Sequence, residues 1–230
     1  MLLLQWEIKK CKFRYPEKFC INLEPVNLVV ELGNALKMML ILTNTYIFIM
    51  ALVLAILEIQ IEGKDGWAKN LPTWKPPLHT WYVKLYSRLM FKKRLTGYHL
   101  AMHIFVILIF YLPYADGLPF TLFNWTKTLA LYFLFILVWD FLWFVLNPYY
   151  SLAKFKKQNV PWHVVWLFGL PVDYWAALVL SFIVLTPNFI NNFYSSNILS
   201  WWFLNIILFG VQTLLICILY MIYPFKSKII

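Results

Sequence analysis

From Met38 to Leu57 the chain runs for twenty residues without one charged side chain. As a helix rising 1.5 Å per residue, such a run is about 30 Å long, the thickness of a bilayer's hydrocarbon core. Four more apolar runs follow, each with a fitting stop: Pro113 and Asp116-Gly117 close the second, Asn147-Pro148 the third, Pro187 the fourth and Pro224 the fifth. The spans expected are 38–61, 97–115, 126–147, 163–186 and 199–222. None shows the polar/apolar alternation of a barrel strand. With 62% hydrophobic and 13% charged residues and a mean hydropathy of +0.69, the chain holds more apolar surface than a soluble domain of 230 residues buries. The expected fold is an all-α integral membrane protein, a bundle of about five transmembrane helices over 38–224. An interfacial N-terminal arm over 1–37 precedes it, with an amphipathic helix over 22–37, and a short basic tail over 225–230 follows.

A net charge of +10 would suit nucleic acid, but its distribution excludes that partner. The connection 62–96 carries eight Lys or Arg, 148–162 carries three and the tail two, while the connections around 116 and 190 carry none. This is the positive-inside pattern of a plasma-membrane protein with its basic connections and C-terminus in the cytoplasm. The six basic residues of the N-terminal arm run against that orientation. Cys11, Cys20 and Cys217 are too few for a disulfide framework or a thiolate metal site, although Cys11 and Cys20 could pair in an extracytoplasmic arm. Glycine-rich phosphate loops are absent.

Ionisable residues inside spans are costly, roughly 2.5–3.5 kcal/mol each at the centre, so each calls for a partner or a role. Glu58 and Glu62 end the first span, His99 and His103 begin the second, Asp140 lies two turns before the end of the third and His163 begins the fourth. Because successive spans alternate in direction, all six belong to one layer of the bilayer, whichever way the protein is inserted. Glu58 and Glu62 are one helical turn apart, as are His99 and His103, so each pair shares a face. Three imidazoles and three carboxylates at one level are the ligand inventory of a divalent metal site, with iron favoured and zinc or manganese as alternatives. Helical di-iron proteins use similar chemistry, but through Glu-x-x-His, a motif this chain lacks. Asp173, ten residues beyond His163, is expected some 15 Å deeper and outside the ligand set.

Singly, each residue has an ordinary reading. Glu62 beside Gly63-Lys64 suits a solvated helix end, His163 beside Trp162 an interfacial anchor, and His99 beside Tyr98 part of an aromatic belt. The connection 63–96, rich in Trp, Lys and Arg, suits a surface layer on anionic lipid. It also suits a lid, with Trp67, Trp74 and Trp81 shaping an entry, Arg88 or Lys93 steering an anionic head and His79 as a further ligand. Jointly, the residues point to a membrane metalloenzyme acting on a lipid, quinone or other hydrophobic molecule. It would be an oxidoreductase or a metal-dependent hydrolase with Asp140 or Glu58 as catalytic carboxylate. The rival readings are an ion, proton or metal transporter using the same polar layer, and a structural subunit of a homo-oligomer or larger membrane complex.

Overall fold

A computed structural model describes residues 25–150, 152–189 and 195–222, so most of the expected arm, with Cys11 and Cys20, and the basic tail lie outside the described residues. The described residues form the helices α1 (Pro25–Glu62), α2 (Trp81–Leu89), α3 (Gly97–Ala115), α4 (Leu122–Leu146), α5 (Val172–Ile183) and α6 (Ser195–Ile222). A minimal hairpin, β1 (Trp166–Leu167) and β2 (Leu170–Pro171), precedes α5. Five segments are long and apolar enough to cross a membrane: Gly33–Glu62, Gly97–Ala115, Leu122–Leu146, Val172–Phe189 and Asn197–Ile222. The chain divides into two compact units, Met1–Leu42 and Thr43–Ile230. The described part of the first is the opening of α1, which starts upstream of the expected 38. All that follows concerns the second.

The centre of that unit is α4, which packs most extensively on α5, then on α6 and α3. Ala130, Leu134, Phe135, Val138 and Leu142 are buried along it. From α1 comes the stripe Ile47, Phe48, Ala51, Leu54, Ala55 and Ile59, whose helical spacing turns one face into the same core. The opposite faces leave large apolar side chains exposed: Val53 and Ile56 on α1, Phe105 and Leu108 on α3, Leu214 and Leu215 on α6.

The expected fourth span, 163–186, is corrected: the helix begins at Val172. Pro161 and Pro171 bring no amide donor to continue a helix, and Phe168 (φ 49°) and Gly169 (φ 80°) take the left-handed conformations of a two-residue hairpin turn. Residues 163–171 therefore fold back on themselves instead of rising 1.5 Å each. The chain returns at Val172, whose amide donates to the Val165 carbonyl at 2.9 Å.

Polar side chains tie the bundle together. Asn44 donates to Asn205 Oδ1 at 2.9 Å and accepts from Gln212 Nε2 at 3.1 Å, joining α1 to α6. Trp202 donates to Ser181 at 3.0 Å and Asn188 to Thr126 at 2.7 Å. At the other end of α1, fully buried Asn147 donates to the Gly63 carbonyl at 3.0 Å and accepts from the Tyr149 amide at 3.0 Å. It thereby ends α4 and clamps the residue that follows Glu62. Asn147→Ala strands both backbone groups and is expected to remove about 1–3 kcal/mol, lowering the unfolding midpoint in detergent by several degrees. A midpoint within error of the parent's would refute the clamp.

Candidate metal centre

Glu58 and Glu62 lie in the last two turns of α1, and His99 in the first turn of α3. One donor atom from each falls within 4.8 Å of the others, so this trio could hold a metal ion. His99 Nε2 is 3.7 Å from Glu58 Oε1 and 3.5 Å from Glu62 Oε1. Ligand atoms about 2.1 Å from a tetrahedral metal stand roughly 3.4 Å apart, so little movement would be needed.

The imidazole is held from two sides. Thr96 caps α3, accepting from the His99 amide at 3.3 Å, and its Oγ1 lies 2.7 Å from His99 Nδ1. When Nδ1–H donates to that hydroxyl, Nε2 is left unprotonated and faces the two glutamates, the tautomer a ligand needs. The Trp67 indole stacks on the same ring, with centroids 4.0 Å apart. Trp67 belongs to a turn in which it (φ 53°) and Ala68 (φ 48°) are left-handed, at roughly 1–2 kcal/mol each for residues with a Cβ. In return the Ala68 amide points at Glu62 Oε1 and donates to it. Trp67 Nε1 fastens the turn to the Arg94 carbonyl at 2.8 Å.

Behind the trio lies a second set. Asp140 Oδ2 accepts from the Tyr174 hydroxyl at 2.6 Å and lies 3.2 Å from His163 Nε2. His163 Nδ1 is 2.9 Å from Asp173 Oδ2, and Lys93, buried, pairs with the same carboxylate. Burial opposes a charge on His163, but the nearby Asp140 carboxylate and the hydrogen bond from Nδ1 to Asp173 outweigh it and hold its pKa above the ordinary histidine value. Nearby, burial and then the Asp173 charge push the Tyr86 hydroxyl up to about 12.

The two sets meet at a cavity lined by Glu58, Glu62, His99, Asp140, Trp143 and Trp162, with about 20 Å³ open to the centre of a water molecule. That is room for one water or one ion. Trp143 Nε1 is buried with no hydrogen-bond partner among the described residues, leaving a donor for an oxygen bound there.

The structure thus gathers Glu58, Glu62, His99 and Asp140 around one cavity and puts His163 directly behind Asp140. His103 stands apart, a turn deeper on α3, with Nδ1 3.4 Å from the Tyr132 hydroxyl and its ring against Trp139. His79 is exposed. Of the tryptophans expected to form an entry, Trp67 is at the cavity while Trp74 and Trp81 are exposed. Lys93, expected to steer an anionic head, is instead buried against Asp173. Asp173 is corrected from a deep, separate position to a partner of His163, because the hairpin replaces the helix that would have separated them. Thr96, three residues before His99, carried a readable cap signal. No signal in the sequence marked Lys93 as the partner of Asp173. No protein-family model matches the chain, nor does any curated protein or solved structure.

Gly66 (φ 28°) lets the turn approach Trp162: a Cβ there would lie 2.6 Å from the indole Cη2, whereas one at Gly63 (φ 63°) meets nothing within 4 Å. Gly66→Ala is therefore expected to cost about 1–3 kcal/mol from overpacking, beyond the roughly 1 kcal/mol backbone strain shared with Gly63→Ala. Parallel thermal melts compare the two, and equal midpoints contradict the close approach.

Proposed function

We propose that the protein is a multi-pass membrane enzyme that uses a divalent metal held by Glu58, Glu62 and His99 and acts on a lipid or other amphipathic substrate. The membrane part rests on five helices of spanning length whose outer faces carry exposed Leu, Ile, Val and Phe, surface that water would not tolerate at this extent. The positive-inside pattern of the basic connections supports a cytoplasmic position for the site.

The observation that carries the metal is the convergence of one donor atom each from Glu58, Glu62 and His99 within 4.8 Å; the crowding of carboxylates around them supports it. The side chains of Glu58, Glu62, Asp140 and Asp173 are only 12%, 3%, 27% and 19% exposed. If all four are ionised, the ammonium of Lys93 and a protonated His163 balance only two of the four charges, and the other two must be met by protons or by a cation. Unpaired buried charge costs several kcal/mol per ion. A divalent cation among Glu58, Glu62 and His99 supplies the missing charge and meets donors already converged. Mixed carboxylate and imidazole ligation suits iron, manganese or zinc.

Such a cation supplies Lewis acidity and lowers the pKa of a bound water toward neutrality. The chain's own groups do the rest. Tyr174 and His163 both lie against Asp140 Oδ2, and Asp140 lines the cavity beside the trio, which makes it the carboxylate a proton released there would meet. His163, held between two carboxylates, fixes the orientation of Asp140. Trp67, Trp143 and Trp162 restrict bulk water around it.

Elemental analysis of the detergent-purified protein tests this reading: about one divalent metal per chain is expected, with Glu62→Gln and His99→Ala reducing it several-fold. Returning metal to a chelator-stripped sample is expected to raise the unfolding midpoint of the parent but not of the variants. A parent with less than about 0.2 metal per chain and no stabilisation by any of the three metals would end the proposal.

A further inference from the structure

A second cavity, of about 450 Å³, adjoins the first and shares Gly66, Trp67 and Trp162 as wall. Its volume lies within the roughly 300–1,000 Å³ of small-molecule sites, over twenty times what the metal cavity offers. Its charge is of the opposite sign to the acidic trio. Lys69, Lys75 and Arg94 line it, against the single carboxylate of Asp65. Asp65 is already engaged, accepting from Asn70 Nδ2 at 2.5 Å and lying 3.9 Å from Lys69 Nζ. Lys75 Nζ donates to the carbonyls of Lys69 and Leu71 at 2.9 and 3.3 Å, which fixes the ammonium in place, neutralises none of its charge and leaves one N–H unused. Among the described residues neither Lys75 nor Arg94 has a carboxylate within ion-pair distance. Two cationic residues without a carboxylate partner thus line one cavity.

This cavity touches the metal trio through two side chains. Thr96 lines it and holds His99 Nδ1, while Trp67 lines both cavities and stacks on the His99 ring. A group bound between Lys75 and Arg94 would stand one side chain away from the trio. The whole arrangement lies where α1 ends and α3 begins, the level at which lipid head groups sit against spanning helices.

We infer that the larger cavity is the substrate's head-group site and that it takes a phosphate-bearing head group, with Arg94 and Lys75 as its binding cations. Arg94 offers the forked donor geometry that matches a phosphate's oxygens, and Lys75 a prepositioned point charge. The inference rests on the enzyme reading above for its meaning as a substrate site, but not for its chemistry. Phosphate on a lipid and phosphate in solution would meet the same two cations, so the test must distinguish them.

Calorimetric titration of the full chain in an uncharged detergent, with inorganic phosphate in one arm and short-chain phosphatidic acid in the other, provides that test. Saturable binding is expected, weakened about tenfold or more in Arg94→Gln and in Lys75→Gln, the loss of one charge-assisted contact. Lys84→Gln, at an exposed cation on α2 that does not line the cavity, is expected to bind as the parent does. Tighter binding of phosphatidic acid assigns the site to lipid, and equal affinity assigns it to phosphate of any source. No saturable binding in either arm, or binding unchanged in both cavity variants, overturns the inference. Metal content is measured on the same samples. Metal without phosphate binding rejects this inference alone, whereas phosphate binding without metal upholds the anion site and rejects the metal reading.

Discussion

The site depends on one constraint: carboxylates have been withdrawn from water faster than cations have been supplied to meet them. Glu58, Glu62, Asp140 and Asp173 come from α1, α4 and α5, whose interiors offer no solvent, and each must find hydrogen bonds or charge where it stands. Lys93, on the short segment between α2 and α3, is drawn inward against Asp173 and over the Trp67 ring at 4.6 Å. His163 is placed between Asp140 and Asp173, whose carboxylates favour its charged form. Glu62 is met by the backbone itself.

The irregular backbone is a consequence of that demand. Trp67 and Ala68 hold left-handed conformations that neither favours alone, and the same turn supplies an amide to Glu62 and an indole to His99. The hairpin at Phe168–Gly169 has the same logic, since a continuous helix from His163 would have carried Asp173 away from the imidazole it contacts. Locally unfavourable backbone at a cluster of buried ionisable groups is the pattern of a working site more than of a packing core.

What was readable in the sequence follows from which forces act over short range. Apolar runs and their proline and glycine stops are local, so five helices of spanning length could be read directly. Alternation of direction needs no side-chain detail, and it brought Glu58, Glu62, His99 and Asp140 to one level from residues more than eighty positions apart. Rotation about the helix axis and depth within a turn are different matters. His103 shares a face with His99, yet one turn, about 5.4 Å, carries it away from the glutamates to Tyr132 and Trp139. Hydropathy also read through the hairpin, because Val164, Val165, Trp166, Leu167 and Phe168 are as apolar as a helix requires, and only Pro161, Gly169 and Pro171 argued otherwise. The pairing of Lys93 with Asp173 joins residues eighty apart and left no local trace.

The distribution of polar groups between the two ends of the bundle bears on how a substrate would arrive. Toward the far end, Asn44 bonds Asn205 and Gln212, Ser181 bonds Trp202, and Thr126 bonds Asn188. These residues are engaged in holding α1, α4, α5 and α6 together, and a hydrated path through them would have to break the ties that position the helices. Both cavities lie instead at the end where Glu62, Thr96 and Trp162 converge, and the wall between them is an indole stacked on the His99 imidazole. A molecule with a polar head and an apolar tail can present the head there while its tail stays against the exposed Leu, Ile and Phe of the outer faces. Access from the head-group layer therefore fits the bond pattern better than passage through the bundle, and it favours an enzyme over a conduit.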